Sequence, residues 1–201
     1  MAGYRNSAQD YLVAGVLATL AGGGLWWAGE RLGVVGAKPI AEALVAAMLL
    51  WFYPDRYGRP WTPVLGVVLV LCAAGLVAIW VGVFAWGNTR FLDLAKVDRA
   101  AIVVTLSTVL VTAPIYEEKV VRELLLRGLS KTLNPVLASV FVSVAFALVH
   151  DGFLWAFIFS MVLCFLALKW NFSTMQRAVV HGLVNLLISL WYVTRGYGFF
   201  A

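Results

Sequence analysis

The chain has 201 residues, of which 63% are hydrophobic and 12% charged, with a mean hydropathy of +0.91. A soluble domain is roughly 45–50% apolar, and a chain this short has too little interior to hide the excess, which excludes an ordinary water-soluble fold. The formal net charge of +5 resides on Lys and Arg lying between apolar runs, where anionic lipid rather than nucleic acid is the natural counterpart.

The apolar runs are continuous rather than alternating with period two, so helices are expected and a barrel is not. They predict an all-α polytopic bundle of about seven spans (six to eight) in a single membrane domain covering 1–201. The first run, Tyr11–Gly29, exceeds a signal-peptide core and reads as an uncleaved span. Ile40–Tyr53 is short, follows Pro39 and contains Glu42, which suggests a tilted or partial span. A polar connector, Pro54-Asp55-Arg56-Tyr57-Gly58-Arg59-Pro60, leads to the long run Val64–Gly87. Asn88–Ala100 interleaves apolar and charged residues, as an interfacial helix does.

Ala101–Tyr116 then runs into a charged helix, Glu117–Leu129, with a kink expected at Pro114. Gly128 and Asn134-Pro135 end that helix. Pro135–His150, Phe153–Trp170 and Gln176–Val193 complete the set. If the spans alternate, Arg5, Arg56, Arg59, Lys119, Arg127, Lys131, Lys169 and Arg177 share one side as loop charges. Cys72 and Cys164 lie inside apolar runs without CxxC spacing and read as buried thiols.

Ionisable groups at membrane depth are costly and therefore functional candidates. The chain's two histidines, His150 and His181, both lie in span-length apolar runs, and a third run delivers Glu117, Glu118 and Arg122. On a helix Glu118 and Arg122 are i,i+4 neighbours and can pair, while Glu117 points about 100° away. Glu123, with Lys119 and Arg127 at i±4, looks like a solvated ladder. His150 follows Phe146 by one turn, and Asn185 follows His181 by one turn. Taken one at a time, these residues are consistent with a charged interfacial helix end and with hydrogen bonds between helices. Together they offer a carboxylate and imidazole to activate water, and an imidazole and carboxamide to hold an oxyanion. No Ser-His-Asp, GxSxG or HExxH pattern is present. Two histidines and a glutamate are also a plausible zinc set, and the residues leave that choice open.

Glu117-Glu118-x-x-x-Arg122, Phe146-x-x-x-His150 and His181-x-x-x-Asn185 resemble, in order, the three motifs of the CAAX protease and bacteriocin-processing family, also called the Abi family. The resemblance covers roughly Thr112 to Ile188, within a motif-bearing core at about 101–193. It implies an intramembrane glutamic endopeptidase cutting a membrane-associated protein or peptide, such as a CAAX-like tail or a leader or sorting signal. By motif position Glu117 would be the general base and His150 its partner on the water. His181 and Asn185 would form the oxyanion hole, with Glu118, Arg122 and Phe146 supporting the site. No cofactor is implied in this form; a zinc form would use Glu117, His150 and His181. The expected location is the cytoplasmic membrane of a prokaryote, with lipid and a peptide substrate as partners and no nucleic acid. Two competing readings are a non-catalytic scaffold that keeps the cavity, and a haem protein ligated by both histidines.

Overall fold

The structure is a computed structural model and describes residues 7–85 and 97–196. Among these the chain is helical, without strands. Seven helices follow one another: α1 (Ala8–Arg31), α2 (Ala37–Phe52), α3 (Pro63–Ala85), α4 (Arg99–Leu129), α5 (Pro135–Leu148), α6 (Phe153–Leu168) and α7 (Thr174–Gly196). Of the amphipathic segment expected at 88–100, residues 88–96 lie outside the described residues.

The helix starts are written in local chemistry. Ser7 and Asp10 form a reciprocal capping box on α1, Thr62 caps α3 ahead of Pro63, and Asn134 caps α5 ahead of Pro135. Each supplies an acceptor to amide groups that the first turn leaves unpaired. Asp98 caps α4 at Ala101 N (3.0 Å). The α5–α6 turn depends on Gly152, whose φ of +76° is costly for a residue with a Cβ. Helix α7 borrows its cap from elsewhere in the chain: Thr174 N donates to Asp55 Oδ2 at 2.6 Å.

Four helices, α1, α3, α4 and α7, are long and apolar enough to cross a bilayer, while α5 and α6 are shorter apolar helices. Leucine, valine and tryptophan side chains are exposed along the outer faces, Leu20, Trp51, Leu71 and Val103 among them. These faces meet lipid. One apolar core lies between α3, α5, α6 and α7, and two smaller ones lie along α4, which packs against α1, α2, α5, α6 and α7.

Two expectations change here. The charged stretch 117–129 continues α4, but it is not an interfacial helix end: Glu118, Lys119, Arg122 and Glu123 are buried. Lys119 and Arg177 are likewise buried ion partners rather than loop charges. The physical reason is pairing: each meets an opposite charge from another segment, which the chain order does not reveal.

Helix α4 also departs from regular α geometry. Thr108–Thr112 and Glu118–Leu126 are wound as π-helix, on either side of the turn carrying Pro114 and Glu117. Such wider turns recur at functional sites. His150 lies two residues beyond the end of α5, at the tip of the α5–α6 hairpin, with its Nε2 3.9 Å from Glu117 Oε2. The hairpin tip thus reaches the level of Glu117.

Candidate active site

Glu117 Oε2 is the geometric centre of the polar residues. His150 Nε2 and His181 Nε2 each stand 3.9 Å from it, approaching from α5 and α7. That oxygen is buried and has no hydrogen-bond partner. At 3.9 Å neither imidazole bonds it directly.

The other ring nitrogens are committed. His150 Nδ1 lies 2.7 Å from the Phe146 carbonyl, and His181 Nδ1 lies 3.2 Å from Glu118 Oε1. A carbonyl and an ionised carboxylate only accept, so both Nδ1 atoms donate. In the neutral rings both Nε2 lone pairs therefore face Glu117. Aromatic rings hold this arrangement: His150 stacks on Phe146 at 4.0 Å, and His181 meets Phe159 edge to face at 4.8 Å. The opposite face of the site is closed by Arg122, whose guanidinium lies 4.4 Å from the centroid of the Phe146 ring.

Glu118 is the electrostatic anchor. Its Oε1 meets Arg122 Nη1 at 3.2 Å as well as His181, and its Oε2 meets Arg177 Nε at 3.3 Å. Arg122 also donates to Ser160 Oγ at 2.8 Å on α6. Two guanidinium groups around one carboxylate keep it ionised without water, and breaking such a buried pair costs about 3–5 kcal/mol.

Arg177 was missed by sequence reasoning. It is fully buried, pairs with Glu118, stands 3.6 Å from Glu123 and donates to the Phe172 carbonyl. A signal existed, because Arg177, His181 and Asn185 recur at i, i+4 and i+8 on one face of α7. Glu123 is correspondingly not a solvated ladder. It binds Arg127 at 2.9 Å and Arg177, while Lys119 turns instead to Asp55 at 2.6 Å. Burial pushes the Asp55 carboxyl up, but Lys119 and the two Thr174 hydrogen bonds outweigh it and hold the group below its ordinary value.

Asn185 is placed differently from the other motif residues. Its Nδ2 donates to the Val109 carbonyl at 2.7 Å, and this is its side-chain hydrogen bond among the described residues. The local sequence explains the partner. In the π turn Ala113 N reaches Thr108 O, so the next rung would run from residue 114 to Val109 O. Pro114 has no N–H, and Asn185 fills that position. Gly182 allows the approach: a Cβ there would stand 2.5 Å from the Leu110 carbonyl.

A cavity of about 520 Å³ opens beside Glu117 and His150 and runs along Val121, Leu125, Phe141 and Phe146. Its walls are mostly apolar, the polar side chains being Thr19, Tyr116, Glu117 and His150. Among the described residues no three His, Cys, Asp or Glu side chains are arranged to hold a metal ion.

Residues 99–187 match the family model described as Type II CAAX prenyl endopeptidase Rce1-like. This stretch, a little under half of the chain, is similar to that family. It begins at α4, ends within α7 and contains Glu117, Glu118, Arg122, Phe146, His150, His181 and Asn185. The family is a protease family, in agreement with the resemblance read from the three motifs. Arg177 lies inside the matched stretch, whereas Asp55 lies outside it. No curated protein and no solved structure matches the chain.

Proposed function

We propose that the chain is an intramembrane glutamic endopeptidase, hydrolysing a peptide bond in a membrane-associated protein or peptide with water activated by Glu117. The observation that carries this reading is the unpartnered Glu117 Oε2, equidistant from two imidazole Nε2 atoms. A water between them donates one proton to Glu117 and the other to His150. As its oxygen attacks the scissile carbonyl carbon, Glu117 takes the first proton and the carbonyl oxygen becomes an oxyanion.

His181 Nε2 can donate to that oxyanion only once protonated, because its Nδ1–H is already engaged. Glu118 stands ready to balance the resulting imidazolium. The second amide hydrogen of Asn185 is the other donor, its orientation set by the bond to Val109. Each such donor contributes roughly 3–4 kcal/mol in other hydrolases. Collapse of the intermediate breaks the C–N bond, and the leaving amine takes the proton held by Glu117. The apolar cavity supports a substrate whose residues beside the scissile bond are hydrophobic.

The zinc form would draw on Glu117, His150 and His181. No step is assigned to a metal. A chelator is expected to leave cleavage unchanged in reconstituted vesicles, whereas a zinc enzyme would lose activity and regain it on zinc addition.

The decisive comparison is the membrane proteome of cells carrying wild type or Glu117→Gln. Loss of a general base lowers turnover by roughly 10²–10⁴-fold, so uncut precursors should accumulate in the variant while the protein still inserts and purifies. Equal processing in both strains would refute the assignment of Glu117. A scaffold role predicts instead a partner whose capture survives substitution of Glu117, His150 and His181. A haem protein would be coloured when purified.

A further inference from the structure

The α2–α3 connector is fastened to the α6–α7 turn at a place remote from Glu117. Gln176 accepts from Arg59 N at 3.2 Å and donates to Arg59 O at 2.6 Å. The Arg59 side chain is fixed as well, with Nε donating to the Trp170 carbonyl at 3.0 Å and the guanidinium 5.8 Å from the Phe172 ring centroid. Its two terminal amino groups make no protein hydrogen bond among the described residues. Directly below lies a crevice of about 390 Å³, walled by Trp170 and Phe172 and floored by Val64, Leu65 and Val68.

We propose that this crevice binds one anionic phospholipid, with its phosphate on the Arg59 guanidinium and an acyl chain along Val64, Leu65 and Val68. Three observations commit the site to a lipid. The crevice is amphipathic in the right order, because Arg59 stands just ahead of Pro63, where the 23-residue apolar span begins. A guanidinium held by its Nε presents its remaining donors as a fork matched to phosphate oxygens. No carboxylate competes, since the nearest acid in the connector, Asp55, is committed to Lys119 and Thr174. The ligand would brace the turn from which Gln176 and Arg177 enter α7. The site is independent of the protease reading.

The test uses the full-length purified protein, equilibrated with equal phosphatidylglycerol and phosphatidylcholine and examined by native mass spectrometry for retained lipid. Wild type should keep one phosphatidylglycerol in preference to phosphatidylcholine. Arg59→Gln should keep it about fivefold less, the effect of one cation near an anionic headgroup. Val64→Trp, which fills the floor and leaves the cation, should lose it too, and Arg31→Gln should match wild type. If Arg59→Gln fails to fold, Val64→Trp decides alone. Equal retention of the two lipids, wild-type retention in the crevice variants, or displacement by millimolar inorganic phosphate without acyl dependence would each overturn the proposal.

Discussion

Arg177 sits between Glu118 and Glu123 with no exposed surface, one helical turn before His181. Helix α7 thus grips Glu118 through two side chains on one face, and the rotation that brings Arg177 to Oε2 also brings His181 Nε2 towards Glu117. Arg177→Met should cost about 3–5 kcal/mol of stability, since two buried carboxylates lose a cation. The double variant Arg177→Met/Glu123→Gln should recover part of that, and thermal unfolding in detergent measures both. Equal losses in single and double variants would mean that packing rather than charge holds the site. The weight of Arg177 was hidden in the sequence because Lys and Arg near span ends normally reach water. Only the neighbouring segments decide whether a cation is buried.

At the scale of elements, the contact between α4 and α7 is a backbone repair. Pro114 removes a donor, the π turn directs the loss to Val109 O, and Asn185 makes it good. Asn185→Ala should therefore cost stability of about 1–3 kcal/mol, the penalty for a buried acceptor left unpaired. In a Pro114→Ala background, where an N–H returns, the same change should cost measurably less, with a coupling of at least about 0.5 kcal/mol in a double-mutant cycle. Catalysis should still fall by roughly 10²–10³-fold with Asn185→Ala in both backgrounds, because the oxyanion donor is absent either way. Strict additivity in stability would refute the repair. The helices themselves were legible: apolar runs located the seven described ones, and Asn134-Pro135 marked a boundary the structure keeps. Burial of the charges on α4 was not, because charges in a row read as a membrane boundary until their partners are known. Glu42 shows the same effect, a carboxylate inside α2 that accepts from Thr112 on α4 at 2.8 Å.

For the whole molecule, Asp55 is where three segments meet: the α2–α3 connector, α4 through Lys119 and α7 through Thr174. Its folded carboxyl is held below its ordinary value. The ionised form therefore contributes stability that is fully present above about pH 4, the unfolded value, and is lost as the pH falls through the folded value. The unfolding temperatures of wild type and Asp55→Asn should differ most at neutral pH and converge in acid. A gap unchanged down to pH 3 would exclude the charge as its origin. Among the motif residues, Glu117, His150 and His181 stood out by costly placement, and in the structure both imidazoles stand 3.9 Å from one Glu117 oxygen. The ion cluster beside them required tertiary information.

That buried cluster has a consequence for biogenesis. A single Asp, Lys or Arg at the centre of a lone helix costs roughly 2.5–3.5 kcal/mol on insertion, and α4 carries six charged residues between Glu117 and Arg127. Some of their counterions arrive earlier in synthesis, as Asp55 does, but Arg177 is made about fifty residues after α4 has emerged. The apolar first half of α4 is long enough to enter lipid by itself, but its charged second half gains Arg177 only when α7 is made, so the Glu118 site is completed late in assembly.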